Sequence, residues 1–233
     1  MLFGTDSAVR QARERLRRTS GGSEVQYRMC PSAVLMTASV RDALRMRQST
    51  IALGLEAVGK GQCAAFFSAG NTMAIYAVSR RRLGLLSDIS DAALAVVVPA
   101  RCGPRVWLDV GISEDRSPDR FRELAHMGTA YAASILALGA KRPRVGLINV
   151  GDEPGKGPQF LRDAERLLRG DPVISFGGNV EGNGLFRSPY EVIVGDGLTL
   201  NVILKAVPAF LEEFGFTGRV LRWAAGHRVV RWL

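Results

Sequence analysis

Apolar and polar positions along the chain follow two alternating patterns, one typical of strands and one typical of helices. Helical spacing marks Val9, Ala12 and Leu16, and again Ile51, Leu55 and Val58. Short apolar runs predict strands at LFG, CAAFF, AALAVVVP, RVWLDVG, RVGLINVG, PVISFGG and EVIVGDG, that is 2–4, 63–67, 92–99, 105–111, 144–151, 172–178 and 191–197. Because most of these runs precede a helical stretch, the pattern predicts the α/β class, with a mainly parallel sheet and helices on both faces.

Small polar clusters follow five of the predicted strands: SAGNT, DVGIS, NVGDEPGKG, GNVEGN and VGDGLTLN. Ligands of an open parallel sheet bind outside the carboxyl ends of the strands, so we expect these clusters to form one cleft. A single cluster is also typical of an ordinary turn, but five in succession favour a ligand site. The polar residues predicted to line the cleft are Asn71, Thr72, Asp109, Glu153, Lys156, Asn179, Glu181, Asp196 and Asn201.

The stretch FFSAGNTMAI, at 66–75, places polar residues between an apolar run and the start of a helical pattern. The first turn of a helix presents backbone N–H groups without intrahelical partners, together with a partial positive charge, and therefore attracts anions. We interpret Ser68, Gly70, Asn71 and Thr72 as an anion pocket. The alternative is a plain turn.

Composition narrows the class of protein. The 233 residues are 47% hydrophobic, with a mean hydropathy of +0.07, which predicts a soluble globular protein with one good core, or at most two small ones. The sequence has neither an apolar run of roughly 20 residues nor the order of a signal peptide, and these features predict a cytoplasmic location. Cys30, Cys63 and Cys102 are too widely spaced for a zinc site or a disulfide framework. We expect reduced thiols and no metal.

The charge of the chain is strongly positive. Lys and Arg number 31 against 22 Asp and Glu, which gives a formal charge of +9 and a pI of about 10.2. Such a surface attracts acidic proteins, nucleic acid or anionic lipid, although it is also compatible with an arginine-rich solvated surface. The arginines are scattered and form no motif with aromatic residues, so we expect no nucleic-acid partner.

The order of the polar clusters resembles the phosphate acyltransferase (PlsX) family. The resemblance rests on SAGNT, LDVG, AHMG, PRVGLINVGDEPGKG, GNVEG and DGLTLNVILK, and it extends from Leu2 to Phe214. It implies a fold like that of isopropylmalate dehydrogenases and phosphotransacetylases, commonly as a homodimer. It also implies transfer of a fatty acyl group from an acyl carrier protein thioester to inorganic phosphate, which gives acyl phosphate for phospholipid synthesis. We expect a single domain over 1–217 and a basic amphipathic tail over 218–233.

The residues suit this chemistry. Phosphate is itself the nucleophile, so neither a cofactor nor a Ser/His or Cys/His constellation is needed, and the only histidines are His126 and His227. The reaction needs an anion cradle and stabilisation of charge on the thioester oxygen. We predict Lys156, Asn179 and Asn201 as the catalytic groups, although a loop lysine is more often solvated. The predicted substrate- and phosphate-binding set is Ser68, Gly70, Asn71, Thr72, Asp109, Glu153, Glu181 and Asp196, whose carboxylates orient donors or simply form loops.

The sequence also departs from the family pattern. Relative to the family, we expect the first strand and the C-terminal part to be missing from this sequence, Ser113 stands for an Asn, and residues 37–40 replace an acidic motif. Met73 and Leu200 stand where the family has Gly, and we expect them to narrow the space for a ligand. The departures leave an alternative open. The chain would then be an inactive relative that acts as a scaffold for acyl carrier protein or membrane.

Two basic segments predict partners. The helical stretches RDALRMR (41–47) and SRRRL (79–83) place arginines close together, as a docking face for an acidic carrier protein would require. The tail over 218–233, read as a helix, has Val220, Trp223, Ala224, His227 and Val230 on one side and arginines largely off it. This pattern is typical of an interfacial helix on an anionic membrane, and a packing or dimer helix is the alternative.

Overall fold

A computed structural model describes residues 1–17, 25–100, 102–136 and 142–214. The contacts divide into two compact units, Met1–Ser87 and a second unit that begins at Asp88. The single domain expected over 1–217 stays a prediction, because two such units can be lobes of one domain. The predicted tail over 218–233 lies outside the described residues. Within the described ranges, no helix combines the length and the apolar character needed to cross a membrane.

The first unit is mainly helical. Its elements are β1 (Leu2–Gly4), α1 (Asp6–Arg17), β2 (Tyr27–Met29), α2 (Val40–Arg45), α3 (Thr50–Gly59) and α4 (Thr72–Leu83). Strands β1 and β2 pair in parallel, with Leu2 opposite Tyr27. Ser39 and Ser49 cap α2 and α3 by accepting backbone N–H groups in the first turn. The core of this unit lies among α2, α3 and α4 and contains Ala43, Ile51, Ala52, Leu55, Ala74 and Val78.

The prediction of a strand at CAAFF is wrong. Residues 63–67 form no strand, and the Phe67 side chain is 87% exposed. Phe66 packs against the core of the first unit, where its ring occupies the space that a Cβ at Gly54 would fill. A strand requires a neighbour for its backbone hydrogen bonds, and in the described part of this unit β1 pairs only with β2. The apolar character of the run therefore reflects the burial of Phe66.

The second unit is a five-stranded α/β sheet. Its elements are β3 (Val96–Val98), β4 (Arg105–Leu108), α5 (Pro118–Ile135), β5 (Arg144–Ile148), α6 (Gln159–Gly170), β6 (Ser175–Val180), a 3-10 turn (Gly182–Gly184), β7 (Val192–Val194) and α7 (Gly197–Glu213). The strand order is β3-β4-β7-β5-β6, and all neighbours are parallel except the pair β3 and β4. The mainly parallel sheet predicted from the sequence is confirmed.

Helices cover both faces of this sheet, as predicted. Alternate strand residues face opposite sides. One face packs against α5 and α6 through Val106, Leu108, Val145, Leu147, Val192, Val194, Phe121, Leu124, Leu161 and Leu168. The other face packs against α7 and the segment before β7 through Trp107, Ile148, Val180, Leu185, Ile193 and Leu200. Burial on both faces explains why β4, β5 and β7 are continuous apolar runs in the sequence.

Candidate active site

The four parallel strands of the second unit end at the same edge of the sheet, and polar residues follow each of them. Asp109 comes directly after β4, and the loop over 149–158 joins β5 to α6. Glu181 follows β6, and Asp196 comes two residues after the last residue of β7. Four of the five predicted polar clusters therefore belong to one edge of one sheet. The fifth, SAGNT, belongs to the first unit.

Hydrogen bonds fix the loop that carries Lys156. The Asn149 amide donates to the Lys156 carbonyl at 3.0 Å, and the Asn149 backbone N–H donates to the Val180 carbonyl at 2.8 Å. Gly155 and Gly157 both have positive φ, at 75° and 86°, a conformation that favours glycine. A Cβ at Gly157 would overlap the Asn149 amide. The sequence Gly-Lys-Gly therefore holds Lys156 on a backbone of defined shape.

Asn179 and Glu165 fix the middle of the same loop. The Asn179 Nδ2 donates to the Glu153 carbonyl at 3.1 Å and to the Glu165 carboxylate at 3.0 Å. That carboxylate also accepts the Gly155 N–H at 2.9 Å. Asn179 is 4% exposed, and its Oδ1 has no hydrogen-bond partner among the described residues. A buried acceptor without a partner is costly, so this oxygen suits a donor group from a ligand.

The Glu165 carboxylate, which accepts a hydrogen bond from this loop, has a shifted pKa, and this shift makes the stability of the fold depend on pH. Burial raises its pKa, but the Gly155 N–H, the Arg169 guanidinium at 2.7 Å and the Asn179 amide outweigh burial, so its pKa lies below the ordinary value. A lowered pKa means that the folded state prefers the charged form. This preference stabilises the fold above the unfolded-state pKa, and the stabilisation is lost as pH falls through the folded-state pKa.

We therefore expect Glu165→Gln to reduce the acid sensitivity of the protein. The wild-type free energy of unfolding should fall as pH drops below about 4.5, the ordinary Glu value, and the variant should lose less. Urea titrations from pH 7 to pH 3 measure both curves. Asp171, whose pKa is also lowered, is unchanged in both proteins. The expected result is convergence of the two curves at low pH. Parallel curves would contradict the account.

Lys156 presents its ammonium group to solvent at the edge of the sheet. Its Nζ lies 3.8 Å from the Glu153 carboxylate, and both side chains are more than half exposed. An exposed ion pair at this distance contributes only about 0–1 kcal/mol to the stability of the folded protein. The ammonium group of Lys156 is therefore free to exchange this contact for an anionic ligand.

Asp109 is buried and holds the turn after β4. Its carboxylate accepts the N–H groups of Gly111, Ile112 and Ser113 at 2.9–3.1 Å. It also accepts the Leu94 N–H at 3.3 Å, and the buried Arg120 guanidinium lies 3.8 Å away. A carboxylate with these partners orients the turn, which is one of the two roles that the sequence predicted for it.

The start of α7 packs against the same turn. Asp196 caps the helix by accepting the Thr199 N–H at 2.6 Å, and Asn201 donates to the Val110 carbonyl at 2.8 Å. The Asn201 amide fills the space that a Cβ at Gly111 would occupy. Leu200 is fully buried in the core between α7 and the sheet. Its side chain fills core volume, so it does not narrow the ligand space as the sequence predicted.

Glu181 comes directly before the 3-10 turn, and its carboxylate accepts the Asn183 amide at 2.5 Å. This contact is local to the turn. Glu181 therefore has the loop-forming role that the sequence left open for it.

The predicted anion pocket of the first unit is formed by a capped helix start. The Asn71 Oδ1 accepts the Ala74 N–H at 3.0 Å, and its Nδ2 donates to the Met36 and Ala38 carbonyls at 3.0 and 3.1 Å. The Ser68 hydroxyl accepts the Gly70 N–H at 3.1 Å. Both ends of the Asn71 amide therefore bind backbone groups of the protein, and Thr72 is exposed at the first turn. Anion binding here stays a prediction.

Sequence reasoning missed three residues that shape the sheet edge: Asn149, Glu165 and Arg120. A signal was present for two of them. Glu165 lies on the apolar side of α6, next to Ala164 and four residues after Leu161, and Arg120 is adjacent to Phe121 on the buried side of α5. A charged residue on an apolar helix face requires partners, and here the partners are loop groups. Asn149 had no such signal.

Comparison with known proteins agrees with this arrangement. The sequence model of the family described as "Fatty acid synthesis protein" matches residues 1–215. The chain belongs to the phosphate acyltransferase (PlsX) family. The resemblance inferred from the polar clusters is therefore confirmed.

Curated phosphate acyltransferases cover most of the chain. The protein from Acidobacterium capsulatum is 38% identical over 180 residues, which are 77% of this chain and 52% of that protein. The protein from Halothermothrix orenii is 40% identical over 174 residues, 74% of this chain and 52% of that protein. The protein from Magnetococcus marinus is 35% identical over 214 residues, 88% of this chain and 59% of that protein. The chain thus spans about half the length of these phosphate acyltransferases.

The fold is similar to that of a solved phosphotransacetylase from Streptococcus pyogenes. The two share a TM-score of 0.58 at 16% identity, over 89% of this chain and 72% of that protein. The phosphotransacetylase-like fold predicted for this PlsX family member is thereby confirmed. Among the described residues, no group of three or more His, Cys, Asp or Glu side chains is placed to hold a metal ion.

Proposed function

We propose that this chain transfers a fatty acyl group from an acyl carrier protein thioester to inorganic phosphate. The observation that carries the proposal is the Gly155-Lys156-Gly157 loop, which holds an exposed ammonium group at the carboxyl edge of a parallel sheet. Membership of the phosphate acyltransferase family supports it, since curated relatives bear that name.

The reaction needs no covalent intermediate on the protein. A phosphate oxygen attacks the thioester carbonyl carbon, the new C–O bond forms, and the C–S bond breaks. The carrier thiolate leaves with the electron pair of the C–S bond and takes up a proton, and the acyl phosphate is the second product. The protein contributes a positive group beside the developing oxyanion and a fixed geometry for the two reactants.

Lys156 is the group we assign to charge stabilisation. Its ammonium contacts the phosphate or the developing oxyanion directly. Asn179 and Asn201, which the sequence suggested as further donors, use their amide N–H groups to fix the Glu153 and Val110 carbonyls. We therefore assign them as positioning residues, since each orients one of the two segments at the sheet edge.

The phosphate dependence of thiol release tests the proposal. Purified protein is mixed with acyl carrier protein thioester, and free thiol is measured with and without phosphate. We expect thiol release only when phosphate is present, with an equal amount of acyl phosphate trapped as hydroxamate. Release that is independent of phosphate would show hydrolysis and contradict the proposal.

The second candidate function is a scaffold that binds acyl carrier protein without turnover. It is favoured by the engagement of both asparagine amides in contacts with the protein backbone. The same mixture distinguishes the two. Carrier protein that binds while its thioester stays intact in the presence of phosphate would support the scaffold.

Two basic segments of the first unit come together and support an acidic partner. The Arg82 guanidinium donates to the Arg47 carbonyl at 3.2 Å, which joins the end of α4 to the residues after α2. Arg41, Arg45 and Arg81 are exposed on the same two helices. Such a face would attract an acidic carrier protein, and the attraction would weaken with salt.

Replacement of Arg80, Arg81 and Arg82 by Ser is therefore expected to weaken binding of acyl carrier protein. We expect roughly a tenfold loss at low salt, a change of about 1.4 kcal/mol, and little difference at high salt. Titration calorimetry measures it. The matched control replaces Arg10, Arg13 and Arg17 of α1 by Ser, which removes the same charge. Equal weakening by both triple variants would show that only net charge matters.

The homodimer and the anionic membrane surface stay proposals. Exposed apolar side chains at Leu198, Val202 and Phe210 of α7, and at Phe214 directly after it, support a contact with a second copy, because subunit contacts commonly cover such surfaces. Sedimentation of the full chain with and without anionic vesicles tests both.

A further inference from the structure

A cavity of about 440 Å³ lies along the outer edge of the sheet in the second unit, next to the Lys156 loop. It borders β6, the last strand of the sheet order, and it includes residues from the loop after β5, from α6 and from the segment before β7. Its volume is within the range of sites for small organic ligands.

Two buried polar side chains that line this cavity each have one oxygen without a hydrogen-bond partner among the described residues. Asn179 is 4% exposed and its Oδ1 is unpaired, and Ser188 is 7% exposed and its Oγ is unpaired, among the described residues. An amide oxygen requires a donor, whereas a hydroxyl both donates and accepts. A ligand that satisfies both oxygens must therefore carry N–H or O–H groups, and an acceptor on the ligand would also suit the Ser188 hydroxyl.

The charges around the cavity favour an uncharged ligand. Asp152, Glu165 and Glu181 contribute three carboxylates, and Arg169 and Arg187 contribute two cations. One of those cations, Arg169, is already paired with Glu165 at 2.7 Å. Free inorganic phosphate would meet uncompensated carboxylates here, so the cavity is unsuited to the acceptor substrate.

Two glycines of β6 and the Tyr190 ring form the edge of the sheet where the cavity lies. Gly177 and Gly178 have no side chains, and in the part of the chain that the structure describes β6 pairs on one side only, with β5. Tyr190 packs its ring against Gly177 and donates its hydroxyl to the Gly177 carbonyl at 2.8 Å. An extended chain with amide groups can therefore approach the strand backbone closely, as a further strand would.

We propose that this cavity holds the pantetheine arm of the thioester donor, with Ser188 and the Asn179 Oδ1 as its hydrogen-bonding groups. The arm is an extended, uncharged chain with amides and a hydroxyl, and it is common to acyl carrier protein and coenzyme A. The inference rests on the proposed function, since the arm must deliver its thioester to the Lys156 loop. It assigns donor binding to the β6 edge and leaves phosphate to that loop.

Calorimetric titration of the full chain with pantetheine tests the cavity without requiring turnover. We expect Ser188→Ala to weaken binding about 3- to 10-fold, as loss of one hydrogen bond does. Asn183→Trp, which enlarges an exposed residue at the cavity, should abolish binding. Ser134→Ala, at an exposed position of α5, is the matched control and should bind as wild type does. Circular dichroism confirms that each variant is folded.

The outcomes separate this inference from the proposed function. Absence of pantetheine binding, or equal binding by wild type and Asn183→Trp, overturns the proposal that this cavity binds pantetheine, even if acyl transfer is observed. Binding that Asn183→Trp abolishes supports the cavity even if no acyl phosphate forms, a result that would contradict the proposed function alone. Titration with holo and apo acyl carrier protein and with coenzyme A identifies the carrier. Tighter binding of holo than of apo carrier protein assigns the arm to the protein carrier, and tighter binding of coenzyme A assigns it to the free cofactor.

Discussion

Lys156→Ala is expected to lower the rate of acyl phosphate formation by on the order of 100-fold or more. The ammonium group is the positive charge that we assign to the oxyanion or the phosphate, and the alanine variant leaves nothing in its place. The folded structure should be nearly unaffected, because the Lys156 side chain is exposed and its pair with Glu153 is 3.8 Å long. Initial rates with acyl carrier protein thioester and phosphate measure the effect.

The matched control is Lys205→Ala, which removes an exposed lysine from α7. This variant should retain the wild-type rate. Lys156→Arg keeps the charge in a different shape and should recover part of the lost activity. Wild-type turnover by Lys156→Ala would remove the central role given to this residue.

Asp109→Ala is expected to destabilise the protein by roughly 3 kcal/mol, because it leaves buried backbone N–H groups without their acceptor, at about 1–3 kcal/mol each. Asp109 and Arg120 are both about 1% exposed. Without the carboxylate, Arg120 loses an opposite charge, and the N–H groups of Gly111, Ile112 and Ser113 lose their acceptor. Urea unfolding at neutral pH measures the difference.

Asp119→Ala provides the comparison for Asp109. Asp119 is an exposed carboxylate that pairs with Arg122 at 2.8 Å, and its loss should cost about 1 kcal/mol or less. If the Asp109 and Asp119 variants unfold at the same urea concentration, the turn after β4 does not depend on the buried carboxylate.

The strands at the centre of the sheet were predictable because of their burial. VWL, VGLI and VIV are runs without a polar side chain, which is the pattern of a strand covered on both faces, and they lie in β4, β5 and β7. The same criterion failed at residues 63–67, because an apolar run does not show whether a neighbouring strand exists. It also could not give the antiparallel direction of β3, which depends on pairing with β4.

The boundary of β6 shows a second limit of the sequence. The sequence predicted a strand over 172–178 that ends where the polar cluster GNVEGN begins, whereas β6 runs from Ser175 to Val180. The register between β5 and β6 shifts at Gly146, and Gly178 has a φ of 126°. Gly146 and Gly177 both face the Tyr190 ring, in space that a Cβ would fill. The absence of a side chain at these two glycines therefore lets the Tyr190 ring pack against the strands, and Tyr190 is distant from both in sequence.

The sequence predicted where the candidate site lies, but not the hydrogen bonds and ion pairs that connect its residues. Polar clusters after parallel strands indicated the edge where Lys156 and Asp109 lie. The sequence could not show that Asn179 donates to Glu165, because that contact joins a strand to the buried face of a helix. It likewise could not show that Arg120 faces Asp109, since neither residue's partner follows from a fixed spacing.

Transfer from isotopically labelled phosphate tests the central claim most directly. Purified protein is given acyl carrier protein thioester and phosphate with heavy oxygen at every position, and the acyl phosphate is analysed by mass spectrometry. Direct attack by phosphate predicts a product that retains all the labelled oxygens, formed at the rate of thiol release. Unlabelled fatty acid as the only acyl product, or an intact thioester, would contradict the claim.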